Sequence, residues 1–202
     1  VAIAGYRLHL ASGAAWSSPG TSRAASTVTV AAGTELVAVA VSGREVYVAG
    51  IDGSVHRVLA PTPPFDEYAD VRVERIFHVT GPALRRLVVS GDALYGYAGA
   101  TLRRIDVRTL AHETRAFGAA ITALSGSPGR VWVGAGAEVH GLDAGAPLGA
   151  GSALVVPVER VVTAVAVDGD LVYTGHGTTG SALWSLSQAE LRISATLVSP
   201  RP

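Results

Sequence analysis

Few residues in this chain could do chemistry, and their spacing decides what each can do. Six histidines raise the question of a metal. When the repeated strands set out below are aligned, His9, His56, Arg103, His140 and Trp184 fall in one column. Successive members of such a column stand far apart against a metal–nitrogen bond of about 2.0–2.1 Å, and no Cys or carboxylate sits beside them at ligand spacing. A packing position that accepts amphipathic side chains explains the column, and no metal or cofactor is expected. The Gly-rich run Thr174–Ser181 could cradle an anion through backbone N–H groups. It lacks the Lys of a phosphate loop and no helix follows it, so it reads as a flexible hairpin with His176 as a contact residue. No G-x-S-x-G elbow is present. Asp168 and Asp170 flank Gly169 in a turn, where Asp serves local hydrogen bonding. A bare D-x-D gives calcium too few of the roughly six to eight oxygens it needs. No set of catalytic residues emerges.

Two elements stand out as contact surfaces. The loop Pro63–Tyr68 places Phe65 and Tyr68 around the acidic pair Asp66 and Glu67. Aromatics bounded by Pro lose little entropy on docking and make good anchors. The alternative is that they cover the end of their own sheet. Arg85 and Arg86 stand where the other repeats have Val37-Ala38, Thr122-Ala123 and Thr163-Ala164. Two readings stay open for them: guanidinium groups lining a channel and attracting anions, or partners of a nearby carboxylate.

The elements that must position these residues come from an internal repeat. Leu36–Gly50, Leu84–Gly99, Ile121–Gly136 and Val162–Gly175 each read as an apolar run, a turn, and a second apolar run ending in Gly. The turn glycines Gly43, Gly91, Gly129 and Gly169 are 48, 38 and 40 residues apart. Strand-like text at that period predicts an all-β propeller built from four-stranded blades. A third and fourth strand follow each hairpin: Ser54–Leu59 and Val71–Val79, Thr101–Val107 and Glu113–Phe117, Glu138–Leu142 and Ser152–Val158, Ser181–Leu186 and Leu191–Val198. Asp52-Gly53 marks a tight turn between the second and third strands of its blade. Val1–Gly5, Tyr6–Ser12 and Ser26–Ala31 supply a fifth blade that lacks its inner strand. The blades run 1–34, 35–82, 83–118, 119–160 and 161–202 in one propeller domain. The missing inner strand has no supplier in the sequence. The expectation is therefore an excerpt of a longer propeller, with a three-stranded fifth blade as the alternative, and a ring that is open or is closed by further sequence or another subunit. The loops at the axial mouth contribute Tyr6, Asp52, His176 and Arg160, a set too varied to name one ligand.

The repeat resembles the broad WD40-like and quinoprotein-like group of β-propellers over essentially the whole chain, in divergent form. The third strands end in Val58-Leu59, Ile105-Asp106, Leu142-Asp143 and Leu186-Ser187, so two keep the Asp of the Trp-Asp pair and none keeps the Trp. The resemblance implies a scaffold or binding module. Composition is consistent with that role. The chain is 49% hydrophobic, which excludes disorder, and it contains no Cys, which removes disulfides and thiol chemistry. Sixteen basic residues, all Arg, balance sixteen acidic ones. The basic surplus that nucleic-acid binding draws on is missing. No apolar run is long enough to span a membrane as a helix. The expected function is a non-catalytic protein-interaction propeller, joined to protein partners or further subunits. The alternative is a propeller enzyme or a small-ligand or carbohydrate binder with its site at the axial mouth.

Overall fold

Turn residues and strand alternation set the architecture. A computed structural model of the chain describes residues 2–4, 7–10, 26–29, 34–43, 45–59, 72–152, 154–158, 160–168, 171–177, 181–187 and 190–197. The chain divides into two compact units, Val1–Leu87 and Val88–Pro202.

The first unit contains two antiparallel sheets. One has three strands, β1 (Ala2–Ala4), β2 (Arg7–Leu10) and β3 (Ser26–Thr29), in the order β1-β2-β3. Among the described residues β1 pairs only with β2. The other sheet has β4 (Leu36–Ser42), β5 (Glu45–Gly50), β6 (Ser54–Leu59) and β7 (Arg72–His78), in chain order. The β5–β6 turn needs its glycine. Gly53 has φ +86°, and a Cβ there would stand 2.5 Å from the Val79 carbonyl oxygen.

The second unit holds three more four-stranded meanders, the first of them begun by a strand that straddles the division. They are β8 (Arg86–Ser90), β9 (Ala93–Ala98), β10 (Thr101–Asp106) and β11 (His112–Ala116); β12 (Ile121–Ser127), β13 (Arg130–Ala135), β14 (Glu138–Asp143) and β15 (Leu154–Pro157); and β16 (Ala164–Asp168), β17 (Leu171–Gly175), β18 (Ser181–Ser187) and β19 (Glu190–Leu197). Within each sheet the strands pair in chain order, as in the blades of a β-propeller. One 3-10 turn, Leu148–Ala150, lies between β14 and β15. No helix among the described residues is long and apolar enough to cross a membrane.

The repeat extends to fine detail. β4 and β12 carry a register shift at the same point, between Leu36 and Ala38 and between Ile121 and Ala123. Arg57 pairs with Glu74 at 2.7 Å across β6–β7, and Arg104 pairs with Glu113 at 3.2 Å across β10–β11. β16 starts at Ala164, three residues later than its apolar run. Just before it Val162 N donates to Gly136 O, past the end of β13, and Thr163 N donates to Gly175 O at the end of β17.

Within the second unit the core lies in layers between successive sheets. One layer joins Tyr95, Tyr97 and Leu102 to Leu124, Val131, Val133 and Leu142. The next joins Ala123, Trp132 and Val139 to Val162, Val165 and Val172. Polar locks reinforce the first layer: Tyr95 Oη donates to Ala144 O at 2.9 Å, and Ser90 Oγ donates to Ser127 O at 2.8 Å. Thr122 Oγ1 reaches across the second layer to Val162 O.

Candidate functional site

An aromatic side chain occupies the same place in the second strand of each of the four full sheets: Tyr47, Tyr95, Trp132 and Tyr173. The first three are buried, with exposures of 1%, 0% and 0%, whereas Tyr173 is 40% exposed. The physical reason is that successive strand residues point to opposite faces. β5, β9 and β13 are buried on both faces over most of their length, but β17 is buried on one only. Val165 and Val172 face the β12–β15 sheet. The opposite face of β16 and β17 carries Ala164 paired with Gly175, Ala166 with Tyr173, and Asp168 with Leu171.

Glycine geometry makes the same point. A Cβ on Gly134 would come within 2.7 Å of Val162 from the next sheet. At the matching Gly175, the nearest atoms are Ala164 and Thr163 of its own sheet. Sequence reasoning missed this face, although laying the four aromatics in register would have shown the column.

Asp52, expected at the axial mouth, is tied into its turn. Its Oδ1 accepts from Ser54 N at 3.0 Å and Ser54 Oγ at 2.6 Å, and its Oδ2 accepts from Thr34 Oγ1 at 3.0 Å. Partial burial works against the charged form. The Ser54 and Thr34 donors outweigh it, with help from His56, and hold the carboxyl below its ordinary range. His56 itself is buried, which holds its protonation below the usual range against the pull of Asp52, and Arg75 adds to that shift. His176 accepts from Thr174 Oγ1 through Nε2 at 3.0 Å and donates through Nδ1 to Val161 O at 3.3 Å. Both ring nitrogens thus anchor the start of the Gly-rich hairpin. Arg160 is exposed. Arg85 and Arg86 are also exposed, and no carboxylate pairs with them among the described residues. Tyr6 and the loop residues Phe65, Asp66, Glu67 and Tyr68 lie outside the described residues.

A polar cluster lies where the outer strands of the β8–β11 and β12–β15 sheets meet. Arg115 Nη2 donates to Ser152 Oγ at 2.9 Å, and that oxygen is 3.2 Å from His140 Nδ1. His140 Nε2 is 3.1 Å from Glu138 Oε2. Phe117 packs edge-on against the imidazole at 4.8 Å. Burial holds His140 below its usual protonation range. Glu138 opposes that shift and Arg115 adds to it. Ser152 also lines a cavity of about 110 Å³ with Leu142, Pro147 and Leu148. Nothing local in sequence marks Ser152, since its partners lie 37 and 12 residues away. Among the described residues, no three His, Asp or Glu side chains converge where a metal could sit.

Neither a protein-family model nor a curated protein sequence matches the chain. Solved propeller structures do. A chain of the mitotic checkpoint complex is 14% identical with a TM-score of 0.66, the match covering 86% of this chain and 55% of that one. BamB from Moraxella catarrhalis is 14% identical with a TM-score of 0.65, covering 95% and 56%. Apo AztD from Citrobacter koseri is 12% identical with a TM-score of 0.63, covering 86% and 52%. The chain thus spans about half the length of these structures. At such identities the likeness is one of fold, and the fold is a β-propeller.

Proposed function

We propose that this chain is a protein-interaction propeller, working as a subunit or part of a larger assembly. Its contact surface is the uncovered face of β16 and β17, and its occupant is the same face of a second copy. The observation that carries the reading is Tyr173, exposed where Tyr95 and Trp132 lock one sheet onto the next. Large beside small residues, here Tyr173 beside Ala164 and Ala166, give the interdigitation that buried sheets use. A net charge of zero sets up no long-range repulsion between copies. The loop Phe65–Tyr68 is the second proposed contact element. Sedimentation equilibrium tests the reading, with wild type associating and Tyr173→Asp remaining monomeric while melting as wild type does in dilute solution. A wild type that stays monomeric when concentrated, or a variant that associates equally well, overturns it.

One observation favours a second reading, a ligand-binding propeller with an axial site. Arg85 and Arg86 present two guanidinium groups to solvent with no carboxylate paired to them among the described residues. That arrangement suits a carboxylate or phosphate ligand. Phosphate titration by calorimetry, with heat lost in Arg85→Ala/Arg86→Ala, checks it.

A further inference from the structure

We propose that Ser152 is a nucleophilic serine, activated by His140 and Glu138, that takes the acyl group of a short carboxylic ester. The inference goes beyond the interaction reading and is independent of it. The geometry is a three-membered relay. Glu138 Oε2, 3.1 Å from Nε2, fixes the imidazole proton on that nitrogen. Nδ1 is then the acceptor, 3.2 Å from Ser152 Oγ. Orientation of a histidine by a carboxylate so that its other nitrogen takes the serine proton is the logic of nucleophilic serine sites, recognised by roles and geometry and not by sequence order. The ring is used here in the opposite sense, with Nδ1 toward serine.

Arg115 supplies the remaining part. Its Nη2 already donates to Ser152 Oγ at 2.9 Å, which favours negative charge on that oxygen. Its Nη1 is buried and has no hydrogen-bond partner among the described residues. A buried donor left unmet is costly, so an oxygen gaining charge beside Ser152 would find a donor waiting. The cavity of about 110 Å³ that Ser152 lines with Leu142, Pro147 and Leu148 is of a size for a short acyl group.

The step balances without any further reactant. Ser152 Oγ bonds to the ester carbonyl carbon while the C=O pair moves onto oxygen, near Arg115 Nη1. The hydroxyl proton passes to His140 Nδ1, and Glu138 steadies the imidazolium through Nε2–H. Collapse breaks the ester C–O bond, and the alcohol leaves with the proton from Nδ1. Water then attacks the acyl-serine by the same route and releases the carboxylic acid.

The test is labelling of the intact chain by a fluorophosphonate, read by peptide mass spectrometry, with p-nitrophenyl acetate hydrolysis alongside. The expected result is a single adduct on Ser152, absent in Ser152→Ala and formed at least about a hundredfold more slowly in His140→Gln. Labelling of wild type should also slow on the acid side as His140 takes a proton, which serves if His140→Gln does not fold. No adduct on Ser152, an equal rate in folded His140→Gln, or a rate independent of pH would overturn the proposal.

Discussion

Replacement of Trp132 by Ala is the sharpest probe of how successive sheets are held together. The indole is fully buried, in a layer shared by Val139 and Val156 of its own sheet with Val162, Val165 and Val172 of the next. One face of the ring lies on Gly141, where an added Cβ would stand 3.1 Å from Cζ3. Truncation to Ala removes about 150 Å² of buried apolar surface, worth about 4 kcal/mol at about 25 cal/mol/Å². The indole Nε1 is buried without a partner among the described residues. Its loss returns about 1 kcal/mol, the low end for an unmet donor. The expected net cost is about 3 kcal/mol, a large share of the stability of a domain this size. Trp132→Phe removes the unmet donor and keeps most of the ring, so it should cost less than about 1.5 kcal/mol. Tyr173→Ala, the same position on the uncovered face, should cost less than about 0.5 kcal/mol in the monomer. Urea unfolding followed by far-UV circular dichroism measures all three. Equal costs for Trp132→Ala and Tyr173→Ala would refute the idea that this column is the glue between sheets.

Other consequences are as direct. The Asp52 carboxyl is held below its ordinary range, so its contribution is present above the unfolded value and lost as pH falls through the folded one; the stability gap between wild type and Asp52→Asn should close below about pH 4. His56 and His140 are both held below their usual range by burial, so the unfolded chain binds more protons and stability should rise with pH up to about 6.5. Gly50→Ala drives a Cβ into Thr34 Cγ2 and to 2.6 Å from Asp52 Oδ1, and should cost about 1–3 kcal/mol in thermal unfolding by breaking that network. Phe65→Ala/Tyr68→Ala should weaken self-association by more than about 1 kcal/mol, and an unchanged dissociation constant removes the loop from the interface.

The repeat was legible because every sheet carries the same alternation and the same turn chemistry. Asp52-Gly53 marks its tight turn in the text, and the third strand begins at Ser54 as read. The start of β16 was less legible, because Val161 and Val162 are apolar enough to read as strand while Val162 N bonds to Gly136, just past β13. Asp52 and His176 were visible as loop residues. Their role was not, since Thr34 and Val161 lie 18 and 15 residues away. The face around Tyr173 was hidden for another reason. Its residue type matches its buried counterparts, and only the count of neighbouring sheets separates them.

Oxidative footprinting of the tyrosines at rising protein concentration tests the central claim most directly. Hydroxyl radicals modify solvent-exposed rings, and peptide mass spectrometry reads each site separately. Tyr95 and Trp132 should stay protected throughout. Tyr173 should be modified in dilute solution and become protected as the chain is concentrated, over the same range in which sedimentation shows association. Modification of Tyr173 at one constant rate across that range would contradict the account.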